Sequence, residues 1–310
     1  MFNCAVCGNQ AHDQFKVPDA KSNEALDISI CVACGLVQQS HLPTGDELRI
    51  YYSHTYRIDY KNNYSPKSKY VLRAGIAAKK RIAILKKHID NSKNLSLLDV
   101  GAGGGEFVYI ATRHGFTARG IEPNLGYSEY AREQYGVEIQ TSMLANIDTN
   151  SADIITMFHV LEHMAHPKQV VSKIYDALKK DGILFIEVPN ILQNDASPSN
   201  IFFKAHLLYF SKYSLVELLS THFDALSVFD SGNLIGLFKK KSVPLEDIKI
   251  DDASYPQTLK RLSSKGWIEY IFTGGGWKKP FKRLARHLTE LKMGKLSARQ
   301  ILDDVYEHKN

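Results

Sequence analysis

A short apolar run that leads into a cluster of glycines is the feature of this sequence that most restricts its fold. Residues 97–106 read LLDVGAGGGE. An apolar run without alternation indicates a strand buried on both faces, and the residues after the glycines continue in a helical pattern. Glycine lets the backbone approach a ligand closely, and the first amides of a helix lack partners within the helix. The segment therefore predicts a strand, a ligand-binding turn and a helix, in that order.

Residues 95–240 alternate short apolar runs with helical patterns, which is typical of a mostly parallel α/β sheet. A helix near 168–178 is expected to stop at Asp181-Gly182, and another helix to lie near 213–219. The turn at 231–233 predicts that the last two strands pair antiparallel. The expected strands are 95–100, 118–122, 137–140, 153–158, 183–188, 225–230 and 234–240.

The composition of the sequence divides the chain into four segments. A cysteine-rich segment, 1–45, comes first, and residues 46–94 form a Tyr-rich and Lys-rich stretch that turns helical. Residues 95–240 form the α/β domain, and 241–310 form a C-terminal extension that ends in a basic helix. No apolar run approaches the roughly 20 residues that a bilayer span needs, so no membrane span is expected. The N-terminus lacks the basic and apolar regions of a secretory signal, which predicts a cytoplasmic protein.

All the cysteines of the chain lie in two CxxCG motifs near the N-terminus. Two residues between the cysteines let both sulfurs face one ion, and the glycine relieves crowding at the turn. Disulfides would suit a secreted domain, whereas a reducing compartment favours thiolate ligands; unrelated free thiols are the remaining alternative. Four sulfurs complete a tetrahedral Zn²⁺ and leave no open position. We therefore expect a small zinc-knuckle domain with a structural zinc held by Cys4, Cys7, Cys31 and Cys34.

Three acidic residues narrow the choice of ligand for the glycine turn. A dinucleotide fingerprint would need glycine at position 106, where Glu106 stands and would repel a pyrophosphate. Asp99 suits an ammonium group, and Glu122, at the end of the next strand, can accept hydrogen bonds from both hydroxyls of a ribose. S-adenosylmethionine has an ammonium group and no pyrophosphate, so the pattern favours it as the cofactor. A glycine turn that serves only packing is the alternative.

The motifs DVGAGGGEF, GIEPN, ADIITMFHVLEHMAHP and LKKDGILFIEVPN together resemble the class I S-adenosylmethionine-dependent methyltransferases over residues 95–240. The resemblance implies a Rossmann-like, mostly parallel seven-stranded sheet with an antiparallel last strand. It assigns the methionine part of the cofactor to the glycine turn and the ribose to Glu122. Many relatives carry an Asp after the third strand for the adenine amino group, and Ser142 and Met143 replace it here. The implied cofactor-binding residues are Asp99, Gly101, Ala102, Gly103, Glu122, Pro123, Ser142, Met143, Phe158 and His159.

Histidines that follow the fourth and fifth strands are the candidates for handling the methyl acceptor. A base is needed when the acceptor must lose a proton, as a hydroxyl or a carbon acid does. His159 and His163 would share a face if their segment is helical, with His163 the catalytic one; zinc binding by this pair is not expected, because no third ligand is evident. His206 lies among aromatic residues in a loop that should cover the site, and Tyr209 follows it. A helix cap or a packed core histidine is the alternative in each case.

The order of these motifs resembles that of zinc-containing sugar C-methyltransferases, which act on nucleotide-linked ketosugars. Their loop often reads Tyr-His-Glu-His followed by Tyr-Phe-Ser; here His206 and residues 209–211 match, whereas Phe203 and Ala205 replace the Tyr and the Glu. The resulting catalytic candidates are His206, His163 and Tyr209. The resemblance implies a small-molecule acceptor such as a nucleotide-linked sugar or a saccharide of polysaccharide or secondary-metabolite biosynthesis, methylated on oxygen or on carbon.

Two polar segments keep other functions open. Residues 51–70 hold six tyrosines among basic residues, as either a lid over the substrate or a linker packed on the sheet domain. Residues 278–295 hold seven Lys and Arg against one Glu, which could follow phosphates or form a solvated helix face. The alternatives are therefore an RNA base methyltransferase and a non-enzymatic interaction scaffold. The oligomeric state is left open.

Overall fold

The computed structural model of the chain describes residues 2–43, 66–90, 93–248, 250–281, 283–284, 290 and 296–308. Most of the expected lid, 51–70, and most of the basic run, 278–295, lie outside the described residues. Within them, no helix is both long enough and apolar enough to cross a membrane. The chain divides into two compact units: the first comprises Met1–Gly45, Phe158–Asp176 and Leu184–Lys279, and the second comprises Asp46–Met157, Ala177–Ile183 and Pro280–Asn310.

The strands form a four-stranded sheet in the order β1-β2-β3-β9 and a seven-stranded sheet in the order β10-β11-β8-β7-β4-β5-β6. They are β1 (His12–Pro18), β2 (Ala25–Cys31), β3 (Val37–Gln39), β4 (Ser96–Val100), β5 (Thr117–Ile121), β6 (Glu138–Gln140), β7 (Ala152–Phe158), β8 (Leu178–Val188), β9 (Leu208–Tyr209), β10 (Phe223–Phe229) and β11 (Leu234–Lys240).

The described α-helices lie before, between and after these strands. They are α1 (Ser68–Leu85), α2 (Glu106–Arg113), α3 (Leu125–Tyr135), α4 (Pro167–Ala177), α5 (Lys212–Ser220), α6 (Ser254–Ser264), α7 (Trp267–Phe272) and α8 (Ala298–Glu307). The basic segment predicted as a helix is described at too few positions to be compared with that prediction, and α8 follows it.

The seven-stranded sheet confirms the predicted fold class. Strand β4 pairs in parallel with both β5 and β7, and β5 pairs in parallel with β6, whereas β10 and β11 are antiparallel. The apolar run predicted as a two-sided buried strand is β4, in which Leu97 and Leu98 are at most 1% exposed. Parallel strands bring their carboxyl ends to one edge of a sheet, which is where ligands bind in open α/β folds. The residues after β4, β5 and β7 therefore form the candidate ligand-binding edge of the sheet.

One predicted boundary is wrong. The sequence predicts that Asp181-Gly182 ends the helix before the fifth strand, yet α4 ends at Ala177 and β8 runs from Leu178 through Asp181 and Gly182. Asp181 has a φ of 61°, and a Cβ on Gly182 would lie 3.1 Å from the Asp153 carbonyl oxygen. The turn-forming pair thus bends a strand at a place of close backbone approach instead of stopping a helix.

The four-stranded sheet joins the cysteine-rich segment to a later part of the first unit. Val37 and Gln38 of β3 pair antiparallel with Tyr209 and Leu208 of β9. Residues 201–211 are thus only in part the loop that the sequence predicts, because Leu208–Tyr209 form a strand. Apolar residues of β2, β3, β9 and the segment before β9 form a common core: Leu26, Ile28, Ile30, Val37, Ile191, Phe202 and Tyr209.

Candidate functional site

Asp99 is a buried carboxylate near the carboxyl end of β4. It is 3% exposed, and the Thr156 hydroxyl on β7 donates a hydrogen bond of 2.6 Å to its Oδ1. Burial raises the pKa of Asp99 to about 7, and the nearby charge of Glu122 acts in the same direction, whereas Thr156 and Arg81 lower it. A cation placed beside Asp99 would stabilise the ionised form. The side chain is suited to an ammonium group, as the sequence predicts.

The glycine turn after β4 keeps its backbone accessible. Gly101 and Ala102 donate their amides to the Ile121 carbonyl oxygen at 2.9 and 3.0 Å, which fixes the turn against the end of β5. Gly103 has a φ of 52°, and a Cβ added to it would meet nothing within 4 Å. The turn therefore presents an open backbone face, the kind of surface that a ligand can approach closely.

Glu106, at the start of α2, does not extend away from this turn. A Cβ on Gly104 would lie 2.8 and 2.9 Å from the two Glu106 carboxylate oxygens, so the carboxylate folds back on the turn. Glu106 is 8% exposed, and burial raises its pKa to about 7. A carboxylate in this place is compatible with the predicted exclusion of a pyrophosphate.

Glu122 follows β5 directly and is linked to the glycine turn. Its Oε2 accepts the Gly103 amide at 3.0 Å, and its Oε1 accepts the Asn124 amide at 2.9 Å. The carboxylate is 5% exposed; burial raises its pKa, and the two amide hydrogen bonds oppose that rise. Because each oxygen can accept a second hydrogen bond, the carboxylate retains capacity for two hydroxyl donors.

The remaining residues predicted for the cofactor's adenosine lie beside Glu122. The Ser142 amide donates to the Glu122 carbonyl oxygen at 3.3 Å, and the Ser142 hydroxyl lies 3.4 Å from the Met143 carbonyl oxygen. Met143 is 48% exposed and Pro123 is also exposed, whereas Ala102 is buried in the turn. The second unit thus brings together most of the predicted cofactor residues, namely Asp99, Gly101, Ala102, Gly103, Glu122, Pro123, Ser142 and Met143.

Phe158 and His159 belong to the first unit. The Phe158 ring packs edge-on against Phe185 at 5.1 Å between centroids. His159 has a φ of 58°, which is uncommon for a residue other than glycine and is often found at functional sites. Its amide donates to the Glu187 carbonyl oxygen at 2.8 Å, which holds the backbone in this conformation.

The His159 ring lies between two carboxylates. Its Nδ1 is 3.3 Å from Glu162 Oε1, and its Nε2 is 3.3 Å from Glu187 Oε1. Asn233 donates a further hydrogen bond of 2.7 Å to Glu187. Burial lowers the pKa of His159, but its ion-pair contacts with Glu162 and then with Glu187 outweigh this effect and raise the pKa to about 9. The imidazole is therefore protonated at neutral pH.

The His163 ring contacts the His206 ring, whereas the sequence offers His159 as the partner of His163. Residues Leu161–His163 form a short 3-10 turn, so His159 and His163 do not share the face of a regular α-helix. The His163 and His206 rings make an edge contact at 5.0 Å between centroids, and His163 Nδ1 lies 2.7 Å from the Ala205 carbonyl oxygen. Burial lowers the pKa of His206 to about 4, with Glu162 acting in the opposite direction. Two of the catalytic candidates thus form one cluster.

Tyr209, the third catalytic candidate, lies on β9 and is 3% exposed. Its hydroxyl donates to the Phe203 carbonyl oxygen at 2.9 Å and accepts the Phe203 amide at 3.2 Å. Burial raises the pKa of this phenol. These two hydrogen bonds tie Tyr209 to the backbone of Phe203, and the segment between them carries His206.

The four cysteines form a compact cluster in the first unit. Cys4 and Cys34 have their sulfurs 3.4 Å apart, those of Cys7 and Cys31 are 3.5 Å apart, and all four lie within 4.8 Å of one another. The Gly8 and Gly35 amides each donate at 2.9 Å to the carbonyl oxygen of the cysteine four positions earlier, and both glycines have positive φ. Four sulfurs at this spacing could hold a tetrahedral metal ion.

The sequence reasoning missed three polar residues of the first unit. The sequence pattern assigns no role to Glu162, Glu187 or Asn233, although Glu162 and Glu187 contact His159 and Asn233 donates to Glu187. Glu187 had a detectable signal, because a carboxylate in an apolar run near a strand's carboxyl end is unusual. Asn233 had none, since an Asn after Gly is ordinary in a hairpin turn.

The chain is similar to known proteins in sequence. A family profile described as "Methyltransferase domain" matches residues 70–240. A ubiquinone biosynthesis O-methyltransferase of Actinobacillus pleuropneumoniae serotype 5b is 33% identical over 106 residues, which are 30% of this chain and 45% of that protein. The mitochondrial ubiquinone biosynthesis O-methyltransferase of Candida albicans is 30% identical over 111 residues, 32% of this chain and 34% of that protein. The chain spans about half the length, or less, of these curated relatives.

Solved structures with a similar fold have lower identity. The 1,6-didemethyltoxoflavin-N1-methyltransferase of Burkholderia thailandensis, with bound 1,6-didemethyltoxoflavin and S-adenosylhomocysteine, is 16% identical and has a TM-score of 0.48. The alignment covers 74% of this chain and 100% of that one. A possible histamine N-methyltransferase of Thermotoga maritima is 16% identical with a TM-score of 0.45, covering 62% of this chain and 99% of that one.

The family profile covers more than half of the 310 residues, and the matched range contains the glycine turn and both carboxylates that the geometry places beside it. The chain belongs to the methyltransferase-domain family, and its α/β part is a class I S-adenosylmethionine-dependent methyltransferase domain.

Proposed function

We propose that the protein transfers a methyl group from S-adenosylmethionine to a hydroxyl oxygen of a small molecule. The observation that carries this proposal is the arrangement of Asp99 and Glu122 beside the open glycine turn, where Glu122 accepts the Gly103 amide at 3.0 Å. These groups fit a zwitterionic amino acid joined to a ribose, because a buried carboxylate suits the ammonium group and the glycine turn lets the ligand approach the backbone closely.

Each group of the second unit has a separate part in holding the cofactor. Asp99 binds the ammonium group, the turn at Gly101–Gly103 lies against the methionine part of the cofactor, and Glu122 accepts both ribose hydroxyls. Ser142 and Met143 contact the adenine, in place of the Asp that many relatives have. S-adenosylmethionine, when bound, supplies a methyl group whose bond to sulfur breaks, with the electron pair going to sulfur, as the bond to the acceptor oxygen forms.

The histidine cluster of the first unit handles the acceptor. His163 and His206 lie in edge contact, and the hydroxyl proton of the acceptor leaves at this cluster. The Tyr209 hydroxyl positions His206 through its two hydrogen bonds with Phe203. The curated relatives are named as O-methyltransferases, which supports oxygen as the accepting atom. A hydroxyl of a nucleotide-linked sugar is the acceptor that the sequence resemblance favours.

The cysteine cluster is proposed to hold a structural Zn²⁺. Four sulfurs within 4.8 Å of one another fill the coordination sphere of zinc and leave no position for a substrate. Thiolate ligands persist in a reducing compartment, which agrees with the predicted cytoplasmic location. The RNA alternative has less support, because the curated relatives are named as ubiquinone biosynthesis O-methyltransferases.

Calorimetry with S-adenosylmethionine tests the cofactor part of the proposal. Saturable heat is expected at one site per chain, and its absence would remove the enzymatic function and leave the scaffold alternative. Retention of the chain on RNA that falls steeply with added salt, together with methylation of that RNA, would instead support the RNA alternative.

A second experiment tests the acceptor part. The release of S-adenosylhomocysteine is measured with a panel of nucleotide-linked sugars and phenols as acceptors. His206→Ala should lower turnover about 10²–10⁴-fold and leave cofactor affinity unchanged. His222→Ala is the matched control, because His222 contacts Thr221 and lies outside the cluster. Equal turnover of the two variants would return His206 to a packing role.

A further inference from the structure

Three potential metal ligands meet in the first unit, apart from the cysteine cluster. Glu162, His163 and His206 each place a ligand atom within 4.8 Å of the others. The sequence indicates no such set, because it offers His159 as the partner of His163 and no third ligand. The two histidines and the carboxylate come from two segments that are distant in the chain, 162–163 and 206.

The Glu162 carboxylate is buried without a hydrogen-bond donor among the described residues. Glu162 is 1% exposed, and neither of its oxygens accepts a hydrogen bond from any residue that the structure describes. Its nearest cationic neighbour is His159, with Nδ1 at 3.3 Å from Oε1, an ion-pair contact that His159 shares with Glu187. A buried carboxylate without hydrogen bonds is costly unless a cation compensates it. The geometry therefore leaves acceptor capacity on Glu162 beside the two imidazoles.

The surroundings orient His163 as metal-binding histidines are usually oriented. Its Nδ1 lies 2.7 Å from the Ala205 carbonyl oxygen, which can only accept, so Nδ1 carries the proton and the lone pair is on Nε2. The Glu162 carbonyl oxygen accepts the Leu207 amide at 2.8 Å, and this bond fixes the two ligand segments to each other. Gln39 on β3 donates to the His206 carbonyl oxygen at 2.8 Å.

We propose that Glu162, His163 and His206 bind a divalent first-row transition cation. Two imidazoles and one carboxylate suit Zn²⁺, Fe²⁺ or Mn²⁺ and leave coordination positions open, unlike the four-sulfur cluster. The use of this site rests on the proposed function: an open position binds the hydroxyl of the methyl acceptor. The cation lowers the pKa of that hydroxyl, its proton passes to solvent, and the oxygen lone pair forms the new bond to carbon. His163 and His206 then act as ligands at the cluster where the proton leaves.

The test counts metal ions on the full chain without measuring activity. The chain is stripped with a chelator, reloaded with Co²⁺ alone and dialysed, and cobalt per chain is measured together with the absorption spectrum. Two equivalents are expected, one of them with the sulfur-to-cobalt charge-transfer bands of the cysteine cluster. His206→Gln should weaken the second equivalent more than about tenfold and keep those bands. One equivalent in the wild-type chain, unaffected by His206→Gln, would overturn the proposal.

Two further variants distinguish loss of the proposed site from misfolding of the chain and from loss of a cation bound elsewhere. Glu162→Gln should also lose only the second equivalent, and retained charge-transfer bands show that the first unit is still folded. His222→Gln is the matched control and should keep both equivalents. If His222→Gln lost the second equivalent as well, the cation would be held elsewhere and the proposed ligands would be wrong.

Failure of this proposal can be told apart from failure of the proposed function. Calorimetric binding of S-adenosylmethionine is measured on the stripped and on the reloaded chain. Cofactor binding and methyl transfer by a chain that never holds a second cation would overturn the metal site alone. A second cation held in a chain that does not bind the cofactor would overturn methyl transfer and leave the metal site standing.

Discussion

At the residue scale, the two carboxylates of the cofactor site differ in what compensates their charge. Glu122 accepts two backbone amides, at 3.0 and 2.9 Å, and is thus held in place before a ligand arrives. Asp99 accepts the Thr156 hydroxyl, and burial raises its pKa to about 7. Glu122 is therefore expected to bind the cofactor mainly through the fixed positions of its two oxygens. Asp99 is expected to bind it through a negative charge that the ligand's ammonium group stabilises.

Glu122→Gln should weaken the binding of S-adenosylmethionine by about 1–3 kcal/mol, since charge-assisted hydrogen bonds to the ribose are lost. Calorimetry at pH 8 measures the change. Glu138→Gln is the control, because Glu138 lies on the neighbouring strand β6 with an exposed side chain. Equal affinities of the two variants would show that Glu122 does not contact the cofactor.

The affinity for S-adenosylmethionine should rise with pH up to about 7. In the free protein Asp99 keeps its proton up to about pH 7, and the charged groups that face it are Arg81 and Glu122. An ammonium group binds the ionised form, so affinity should fall about tenfold for each pH unit below 7. Calorimetry between about pH 5 and pH 8 measures this slope. Asp99→Asn should bind weakly with little dependence on pH, and an equal slope in that variant would contradict the assignment.

The same carboxylate has the opposite effect on stability. Its folded pKa lies above the unfolded value of 3.8, so the folded state binds more protons between about pH 4 and pH 7. Without ligand, the contribution of Asp99 to the free energy of unfolding should be greatest below this window and should decrease as the pH rises through it. Burial raises the pKa of Glu106 in the same way, so only the difference between the wild-type chain and Asp99→Asn isolates Asp99.

At the scale of elements, helix α2 begins and ends beside glycines with positive φ, for different reasons. Gly105 precedes the helix with a φ of 82°, and a Cβ there would lie 2.6 Å from the Ala131 Cβ. Gly115 follows the helix with a φ of 92°, and a Cβ there would meet nothing within 4 Å. The first glycine is required both by conformation and by the packing of α2 against α3, the second by conformation alone.

Gly105→Ala should therefore destabilise the chain more than Gly115→Ala does. A left-handed conformation costs alanine about 1–2 kcal/mol at either position, and forced overpacking adds about 1–3 kcal/mol at Gly105. Urea denaturation of both variants measures the difference. Equal losses of unfolding free energy would mean that α3 moves away from the new methyl group at position 105 without a cost in stability.

At the scale of the whole molecule, the cysteine-rich segment supports the segment that carries His206. Strand β3 pairs with β9, and Gln39 donates to the carbonyl oxygens of Lys204 and His206 at 2.9 and 2.8 Å. The Cys34 carbonyl oxygen in turn accepts the Ser254 hydroxyl at 2.5 Å. A structural zinc in the cysteine cluster would thus stabilise the acceptor side of the enzyme without contacting the substrate.

Gln39→Ala should lower turnover several-fold, because His206 loses part of its support, while the affinity for S-adenosylmethionine stays unchanged. The control is Gln14→Ala, whose side chain makes an exposed 3.3 Å contact with Ser40. The two variants are compared by the release of S-adenosylhomocysteine and by calorimetry. Unchanged turnover in Gln39→Ala would mean that the sheet does not position His206.

Local patterns made much of this protein predictable. The strand, glycine turn and helix at 96–113, the two CxxCG turns and the antiparallel final hairpin all follow from residues that are close in sequence, where turn chemistry and periodicity act directly. The positions of Asp99 and Glu122 beside the glycine turn were predictable for the same reason, because each lies at or next to the end of a strand whose position the pattern indicates. The error at Asp181 arose because such a pair can bend a strand as well as stop a helix.

Only the tertiary structure decided which groups meet around His159 and His206. His163 contacts His206 across 43 positions, and Glu187 and Asn233 surround His159 from two further elements. No local pattern encodes such contacts, since they depend on which strands pair and on how the chain between them turns. The sequence alone determined the fold and the placement of Asp99 and Glu122 at the ends of strands, whereas the pairing of β3 with β9 and the burial of Glu162 created the cluster. The physical reason is that burial and long-range pairing set a side chain's partners, and neither is a property of neighbouring residues.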